Sequence, residues 1–272
     1  MEEANSLLVS QGISMFQRFK ELLSAGKTVR VFSMARFVHP VVIDMFAIAG
    51  GYDGFWLDQE HGGLTYEQIV LGALAGRANN LDCFVRMAPS SYALVTQAFE
   101  AGAGGVMAAR IESAAQAEEF VRWAKFGPRG NRGMNSGGRD AWYTYKSQQE
   151  FAVEANRNHL VSIQIEMLGA LHEVEQIAAI DGVDLLFIGP SDLSQAMGHL
   201  GEVNHPKIWE AAQRVAAACR KHGKYWGILP ADDAYATRAL ELGAKFLILG
   251  GDVQCLRRGI EGFKQQFPSQ FA

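Results

Sequence analysis

Four short runs in this chain concentrate the side chains able to do chemistry: Asp58–Gln59–Glu60–His61, Arg86 within FVRMAP, Gln164 and Glu166 within IQIEM, and Asp192 within Gly189–Pro190–Ser191–Asp192. Carboxylates gathered in an apolar setting need a counter-charge, because an unpaired buried charge is expensive. A hard divalent cation with oxygen ligands supplies one. Histidine beside carboxylates can move a proton near neutral pH. The chemistry on offer is therefore metal-assisted reaction of an oxygen-rich substrate, with His61 as a candidate base and Asp58 or Glu60 as its tuning partner.

These runs form one site only if the fold gathers them. Strand-like segments rich in β-branched and aromatic residues fall at about 29–36, 54–60, 82–88, 104–110, 161–166, 183–188, 224–229 and 245–250. Helical patterns lie between them, at Tyr66–Arg77, Ala114–Lys125, Trp209–His222 and Asp233–Leu242. Eight strands each followed by a helix predict an α/β fold, a TIM (β/α)8 barrel, in a single domain over 1–272. A doubly wound open sheet is the competitor, and the absence of a GxGxxG turn weighs against it. In such a barrel the reactive groups sit at the C-terminal ends of strands. All four runs fall there, with Leu229 at the end of strand seven and Gly250–Gly251–Asp252 at the end of strand eight. His39, just past strand one, is a further residue placed to meet a substrate.

Two segments depart from the rhythm. Residues Ser6–Ala25 read as one helix ahead of the first strand, closing the bottom of the barrel. Between strands four and five a long loop is expected over about 126–160. Its Arg129, Arg132, Arg139, Trp142 and Tyr145 suggest a grip on the distal half of a substrate at the mouth, or packing on a neighbouring subunit.

Composition excludes other classes. The net charge of −4 and the lack of a basic cluster argue against a nucleic-acid partner. Apolar stretches are strand-sized, so no membrane span is expected. Cys83, Cys219 and Cys255 show no metal-ligand or CxxC spacing and fit small hydrophobes in a reducing cytoplasm.

The runs LDQEHGG (57–63), FVRMAP (84–89), IQIEM (163–167) and FIGPSDLSQAMG (187–198), with ELGAKFLILGGD near the end, resemble the HpcH/HpaI aldolase family from about Phe16 to about Phe267. The resemblance implies a metal-dependent aldolase that cleaves 4-hydroxy-2-oxo acids to pyruvate and an aldehyde through a metal-stabilised enolate. It implies Glu166 and Asp192 as ligands of Mg²⁺ or Mn²⁺, with Co²⁺ as a further option, and Arg86 on the pyruvate oxygens. It also implies Gln164 in substrate binding and His61 in catalysis, with Asp58 or Glu60 orienting His61. Gly189, Pro190, Ser191 and Leu229 are then expected to line the small-molecule 2-oxo acid, and the resemblance implies a homo-oligomer, a hexamer, that uses the helix Gln254–Phe267. The chain departs from the family pattern at Gln59, Ser90–Ser91–Tyr92, Glu100 and Asn135–Tyr145, residues that bear on the acceptor aldehyde or on subunit contacts.

Read singly, His61 is by default a satisfied hydrogen-bonding histidine, and a purely structural counter-charge to Glu166 is the alternative for Arg86. The alternative functions are oxaloacetate decarboxylation, CoA-thioester cleavage, a macrophomate-synthase-like reaction, and a non-catalytic ligand-binding barrel. A Schiff-base lysine enzyme is disfavoured because Lys224 and Lys245 stand at strand starts.

Overall fold

The structure, a computed structural model, describes residues 18–271. Eight strands run β1 Val29–Met34, β2 Gly54–Asp58, β3 Asp82–Met87, β4 Gly105–Ala108, β5 Leu160–Ile165, β6 Leu185–Ile188, β7 Tyr225–Ile228 and β8 Phe246–Gly251. All pair in parallel with their sequence neighbours, and β8 pairs back to β1, so the sheet closes into a TIM (β/α)8 barrel. Helices α1 Arg18–Ser24, α2 Pro40–Ala49, α3 Tyr66–Ala78, α4 Tyr92–Ala101, α5 Ala114–Ala124 and α6 Gln148–Asn158 accompany the first half. They are followed by α7 Leu168–His172, α8 Val174–Ala179, α9 Pro190–Ala196, α10 Pro206–His222, α11 Asp233–Glu241 and α12 Asp252–Gln266.

Strand alternation divides the core into two shells. Residues such as Leu57, Val85, Ile163 and Ile188 face outward into the layer beneath the helices. Val31, Trp56, Phe84, Met107, Leu185, Phe187, Phe246 and Ile248 face inward and fill the barrel. The same inward register carries Asp58 two residues beyond Trp56, Arg86 two beyond Phe84, and Gln164 two beyond Ser162. The polar groups thus form the layer directly above an aromatic floor. Trp56 and Phe84 have centroids 5.6 Å apart, and Trp56 and Phe187 5.7 Å.

Most of the helix expected over Ser6–Ala25 lies outside the described residues. Its described end, α1, seals the barrel bottom through Phe19, whose ring meets Phe246 and Phe84 edge-on at centroid distances of 5.4 and 6.3 Å. The long connection between β4 and β5 differs from the loop expected over 126–160. Its second half is helix α6, started by a capping box in which the Ser147 side chain accepts from Glu150 N and Glu150 returns to Ser147 N. The apolar spacing that would announce this helix in the sequence is faint, because only Phe151 and Ala155 are buried. The first half lies at the opposite end of the barrel from the expected mouth position. Arg139 N donates to Glu100 O, Asn131 N to Arg122 O, and Arg129 Nε to Asp181 O, all contacts with residues that precede strands or end helices. The reason is topological: helix α5 has already carried the chain back to the N-terminal end before this segment begins.

Candidate functional site

The mouth gathers Asp58 and Arg86 from the neighbouring strands β2 and β3, and Gln164 and Glu166 from β5 and the residue after it, and each is buried. Asp58 and Arg86 are register partners on β2 and β3. The pairing lets Arg86 Nε and Nη2 grip Asp58 Oδ1 and Oδ2 at 3.1 and 2.7 Å, a two-pronged fork on a carboxylate. Its Nη1 lies 3.1 Å from Glu60 Oε2, and its guanidinium carbon sits 4.5 Å from the Trp56 ring centroid. The alternative reading of Arg86, a structural counter-charge to Glu166, gives way to pairing with Asp58 and Glu60. Asp58 Oδ1 also accepts from the backbone N–H groups of Glu60 and His61 at 3.1 and 3.3 Å, so one aspartate shapes the whole turn after β2. His61 stands out into solvent, with Nε2 3.9 Å from Glu60 Oε2.

Across the barrel, Glu166 follows β5. Its Oε1 accepts from Arg110 N at 2.7 Å, an N–H turned inward by the left-handed backbone of Arg110 (φ 53°). Its Oε2 accepts from Gln164 Nε2. Burial pushes the Glu166 pKa up to about 7; the Arg110 N–H opposes this, the charges of Asp192 and Glu60 add to it, and Arg86 opposes it. Gly189 leaves room for this pair: a Cβ there would stand 2.6 Å from Glu166 Oε2 and 2.7 Å from Gln164 Nε2. Asp192, partly buried, follows in the first turn of α9. In the turn between them, Gly189 N already donates to Ile165 O at 3.3 Å and Pro190 has no N–H, so Ser191 and Asp192 carry the remaining donors. Ser191 and Leu229 are both exposed on the rim.

The donor set suits a hard divalent cation. Two carboxylates from β5 and α9 approach closely enough to raise one pKa, and the buried Gln164 Oε1 has no hydrogen-bond partner. Among the described residues, the group whose three ligand-type atoms lie within 4.8 Å of one another is a different one, His199, Glu202 and His205. It lies in the connection from α9 to α10, and its imidazoles stack with centroids 3.6 Å apart. His205 Nδ1 is moreover engaged in capping α10 through Lys207 N.

With this geometry in hand, relatives are informative. Residues 34–258 match the model of the HpcH/HpaI aldolase/citrate lyase family. The chain belongs to that family. It is 34% identical over 252 residues to a hydroxypyruvate/pyruvate aldolase of Pseudomonas aeruginosa, covering 92% of each chain. It is 30% identical over 250 residues to a 5-keto-4-deoxy-D-glucarate aldolase of Klebsiella pneumoniae, covering 92% of this chain and 96% of that one. The crystal structure of an HpcH/HpaI aldolase from Desulfitobacterium hafniense superposes with a TM-score of 0.82 at 31% identity, over 90% of this chain and 96% of that one. Members of the HpcH/HpaI family are generally divalent-metal dependent.

Within this HpcH/HpaI barrel, several sequence expectations change. His39, placed by the sequence to meet a substrate, caps α2, its Nδ1 accepting from Val41 N at 3.2 Å. The arginines of the 126–147 segment do not reach the mouth. Arg132 is buried on Asp140 and His159, Arg129 binds Glu118 and Asp181, and Arg139 lies over the Tyr143 ring. Lys224 and Lys245 are held at the N-terminal end by carbonyls of Ile180, Val183 and Gly26. Two mouth residues were not singled out in the sequence: Arg110, whose N–H holds Glu166, and Arg36, whose guanidinium holds Gly62 O at 2.9 Å. The available signal was an arginine at or just past a strand's C-terminal tip. No described helix is long and apolar enough to cross a membrane.

Proposed function

We propose that this chain is a carbon–carbon lyase that cleaves 4-hydroxy-2-oxo acids to pyruvate and an aldehyde, with Glu166 and Asp192 holding Mg²⁺ or Mn²⁺ and Co²⁺ able to substitute. The observation that carries the reading is the buried Glu166, held near neutrality at a pKa of about 7 beside Asp192 and Gln164, on a turn that Gly189 keeps open. A divalent cation there would act as a Lewis acid toward the carboxylate and ketone oxygens of a 2-oxo acid, easing the negative charge that develops as the bond breaks.

The side chains divide the remaining work. The Arg86 guanidinium, pinned by Asp58 and resting on Trp56, offers its unused N–H groups to the ketone oxygen. Gln164 orients the pyruvyl end from β5, and Gly189, Pro190, Ser191 and Leu229 line it. His61 Nε2 takes the proton from the C4 hydroxyl as the C3–C4 bond breaks, and Glu60 Oε2, 3.9 Å away, stabilises the imidazolium. Asp58 fixes the turn that carries both residues. The aromatic floor of Trp56, Phe84 and Phe187 keeps water from the carbanionic carbon from below.

The same reading makes the enzyme a homo-oligomer, a hexamer by resemblance. Helix α12 exposes Val253, Leu256, Ile260 and Phe263, an apolar stripe at helical spacing, and Val41, Met45 and Ile48 of α2 are likewise exposed. Phe263→Asp should then lower the oligomeric mass seen by light scattering. Three unpaired cysteines fit a cytoplasmic setting. The test of function is a screen of 4-hydroxy-2-oxo acids with pyruvate release coupled to lactate dehydrogenase. Activity lost on EDTA treatment and restored by Mg²⁺ or Mn²⁺ is expected; no pyruvate from any substrate would overturn the reading.

A further inference from the structure

Between α9 and α10 the chain sets His199, Glu202 and His205 at equal steps of three, and two consecutive reverse turns carry them. Glu202 N donates to His199 O and His205 N to Glu202 O, both at 2.9 Å. The turns share Glu202, and the rings of His199 and His205 come together at 3.6 Å. His199 Nδ1 lies 3.9 Å from Glu202 Oε1, and one ligand-type atom from each residue falls within 4.8 Å of the other two. All three side chains are reachable from solvent. The loop is held from both sides. Gly198 and Gly201 supply left-handed backbone, at φ 78° and 82°. His199 N donates to Ser194 O at 2.7 Å. The buried Ser194 Oγ accepts from Gly201 N at 3.3 Å and donates to Ser191 O at 2.7 Å. On the other side, Trp209 Nε1 donates to Asn204 Oδ1 at 2.7 Å and the Tyr235 hydroxyl to Val203 O at 3.2 Å.

We propose that His199, Glu202 and His205 form a metal site for a borderline divalent cation of the Zn²⁺ class, separate from Glu166 and Asp192, with solvent completing the coordination. Two imidazoles and a carboxylate are donors such an ion accepts, whereas Mg²⁺ favours oxygen ligands. Donors around a tetrahedral ion with bonds of about 2.0–2.1 Å stand roughly 3.3 Å apart, so closing the site takes at most about 1.5 Å of side-chain movement. The turns already hold the backbone, which leaves only side chains to order. The stacked rings must rotate to aim at one ion. His205 Nδ1 also gives up the bond it accepts from Lys207 N at 3.2 Å. An ion on Nδ1 takes that lone pair, and an ion on Nε2 moves the ring proton to Nδ1. These costs make the ion exchangeable. The seven residues of α9 put about 10 Å of helix rise between the mouth and this loop, so the two cations share no ligand. Through Ser194 the loop is nonetheless tied to the Ser191 turn, so an ion here stiffens the helix that carries Asp192.

The test uses the untagged full chain carrying Glu166→Gln, which disables the carboxylate pair at the mouth and makes the readout independent of the lyase reading. Zn²⁺ titrated by calorimetry in excess Mg²⁺ should bind at one ion per chain. X-ray absorption at the zinc edge should show two imidazole ligands. Adding His199→Gln or His205→Asn should weaken binding by about a hundredfold or more, the upper end of what loss of a ligand's own hydrogen-bonding partner costs. Asn at 205 keeps a side-chain oxygen able to cap α10, so the helix start survives the change. No Zn²⁺ bound, or binding unaltered by His199→Gln and His205→Asn, would overturn the proposal. So would an absorption spectrum with fewer than two imidazoles. That spectrum is read with all three residues intact, so it decides the matter even where a variant does not fold.

Discussion

Arg132, near the N-terminal end of the barrel, and Arg86, at its mouth, are almost equally hidden, at 5% and 7% exposure. Their surroundings differ in balance. Arg132 meets one carboxylate, Asp140, and touches His159 Nδ1 at 3.2 Å, while its guanidinium lies 4.8 and 4.7 Å from the ring centroids of Phe99 and Phe126. His159 stacks on Phe99 at 4.1 Å, and burial holds its pKa well below the ordinary value. Lys125, whose pKa burial brings down to about 8, is tied off by the carbonyls of Asn156 and His159 at 2.9 and 3.0 Å. Around Arg86 the balance goes the other way. Asp58 and Glu60 share it, and among the described residues no side-chain cation pairs with Glu166 or Asp192. A balanced buried pair anchors a segment; a surplus of aligned carboxylates is a place where a cation and a substrate complete the charge. A raised pKa alone does not make that distinction. Asp82, at the start of β3, is pushed up to about 6 by burial and yet serves structure, accepting from Phe19 N and Cys83 N.

The sharpest way to break the contrast is to exchange the two behaviours. Glu166→Gln and Asp192→Asn should each cut metal-dependent turnover by roughly 10²–10³-fold or more while the far-ultraviolet circular dichroism stays that of the parent. Near-parental turnover at limiting metal would place the cation elsewhere. Arg132→Ala should do the reverse. It strands Asp140 in the interior and should cost about 3–5 kcal/mol in denaturant unfolding, with kcat per folded molecule unaltered. A loss of kcat at unchanged stability would show that the two regions are coupled.

The gathering of Asp58, Arg86, Gln164 and Glu166 was legible in the sequence at the mouth, and the placement of the segment at the other end was not. Strands β2, β3, β5 and β6 could be placed because buried parallel strands read as apolar runs, and their polar tips then stand out. Glu166 and Asp192 were visible for that reason. The segment 126–147 misled because arginines and aromatics in a long irregular stretch look the same whether they face a ligand or a protein interior. What decides is that it follows α5 rather than β4 directly. Helix α6 was missed for a related reason, since Gln148–Asn158 buries only Phe151 and Ala155 and has little apolar periodicity. The contacts of Arg36 and Arg110 join residues far apart in sequence (Arg36 to Asp252, Arg110 to Glu166) and have no local signature.

Smaller effects sharpen the account of the mouth. His61→Ala should lower kcat for retro-aldol cleavage by roughly 10²-fold with little change in pyruvate binding, a scale set by the loss of a general base. A wild-type rate would remove His61 from the mechanism. The pH response of metal binding is gentler. The folded-state pKa of Glu166, about 7, lies above its ordinary 4.5, so the metal-free protein loses stability through this group as pH rises from 4.5 to about 7. A cation must displace that proton, so its apparent affinity should climb about tenfold per pH unit up to about 7 and then level. The rise in melting temperature on adding Mn²⁺ should accordingly be larger at pH 8 than at pH 5.5; an equal or larger rise at pH 5.5 would contradict the assignment of Glu166.

On the proposed reading, the surplus carboxylates of the mouth recruit a divalent cation to stabilise a carbanion next to a 2-oxo acid. Exchange of the pyruvate C3 protons in D₂O, followed by nuclear magnetic resonance, reads that step without any choice of aldehyde. Exchange is expected with Mg²⁺ or Mn²⁺ present, absent after EDTA, and lost in Glu166→Gln even at saturating metal. Exchange that persists in EDTA, or that survives in Glu166→Gln at the parental rate, would contradict the account.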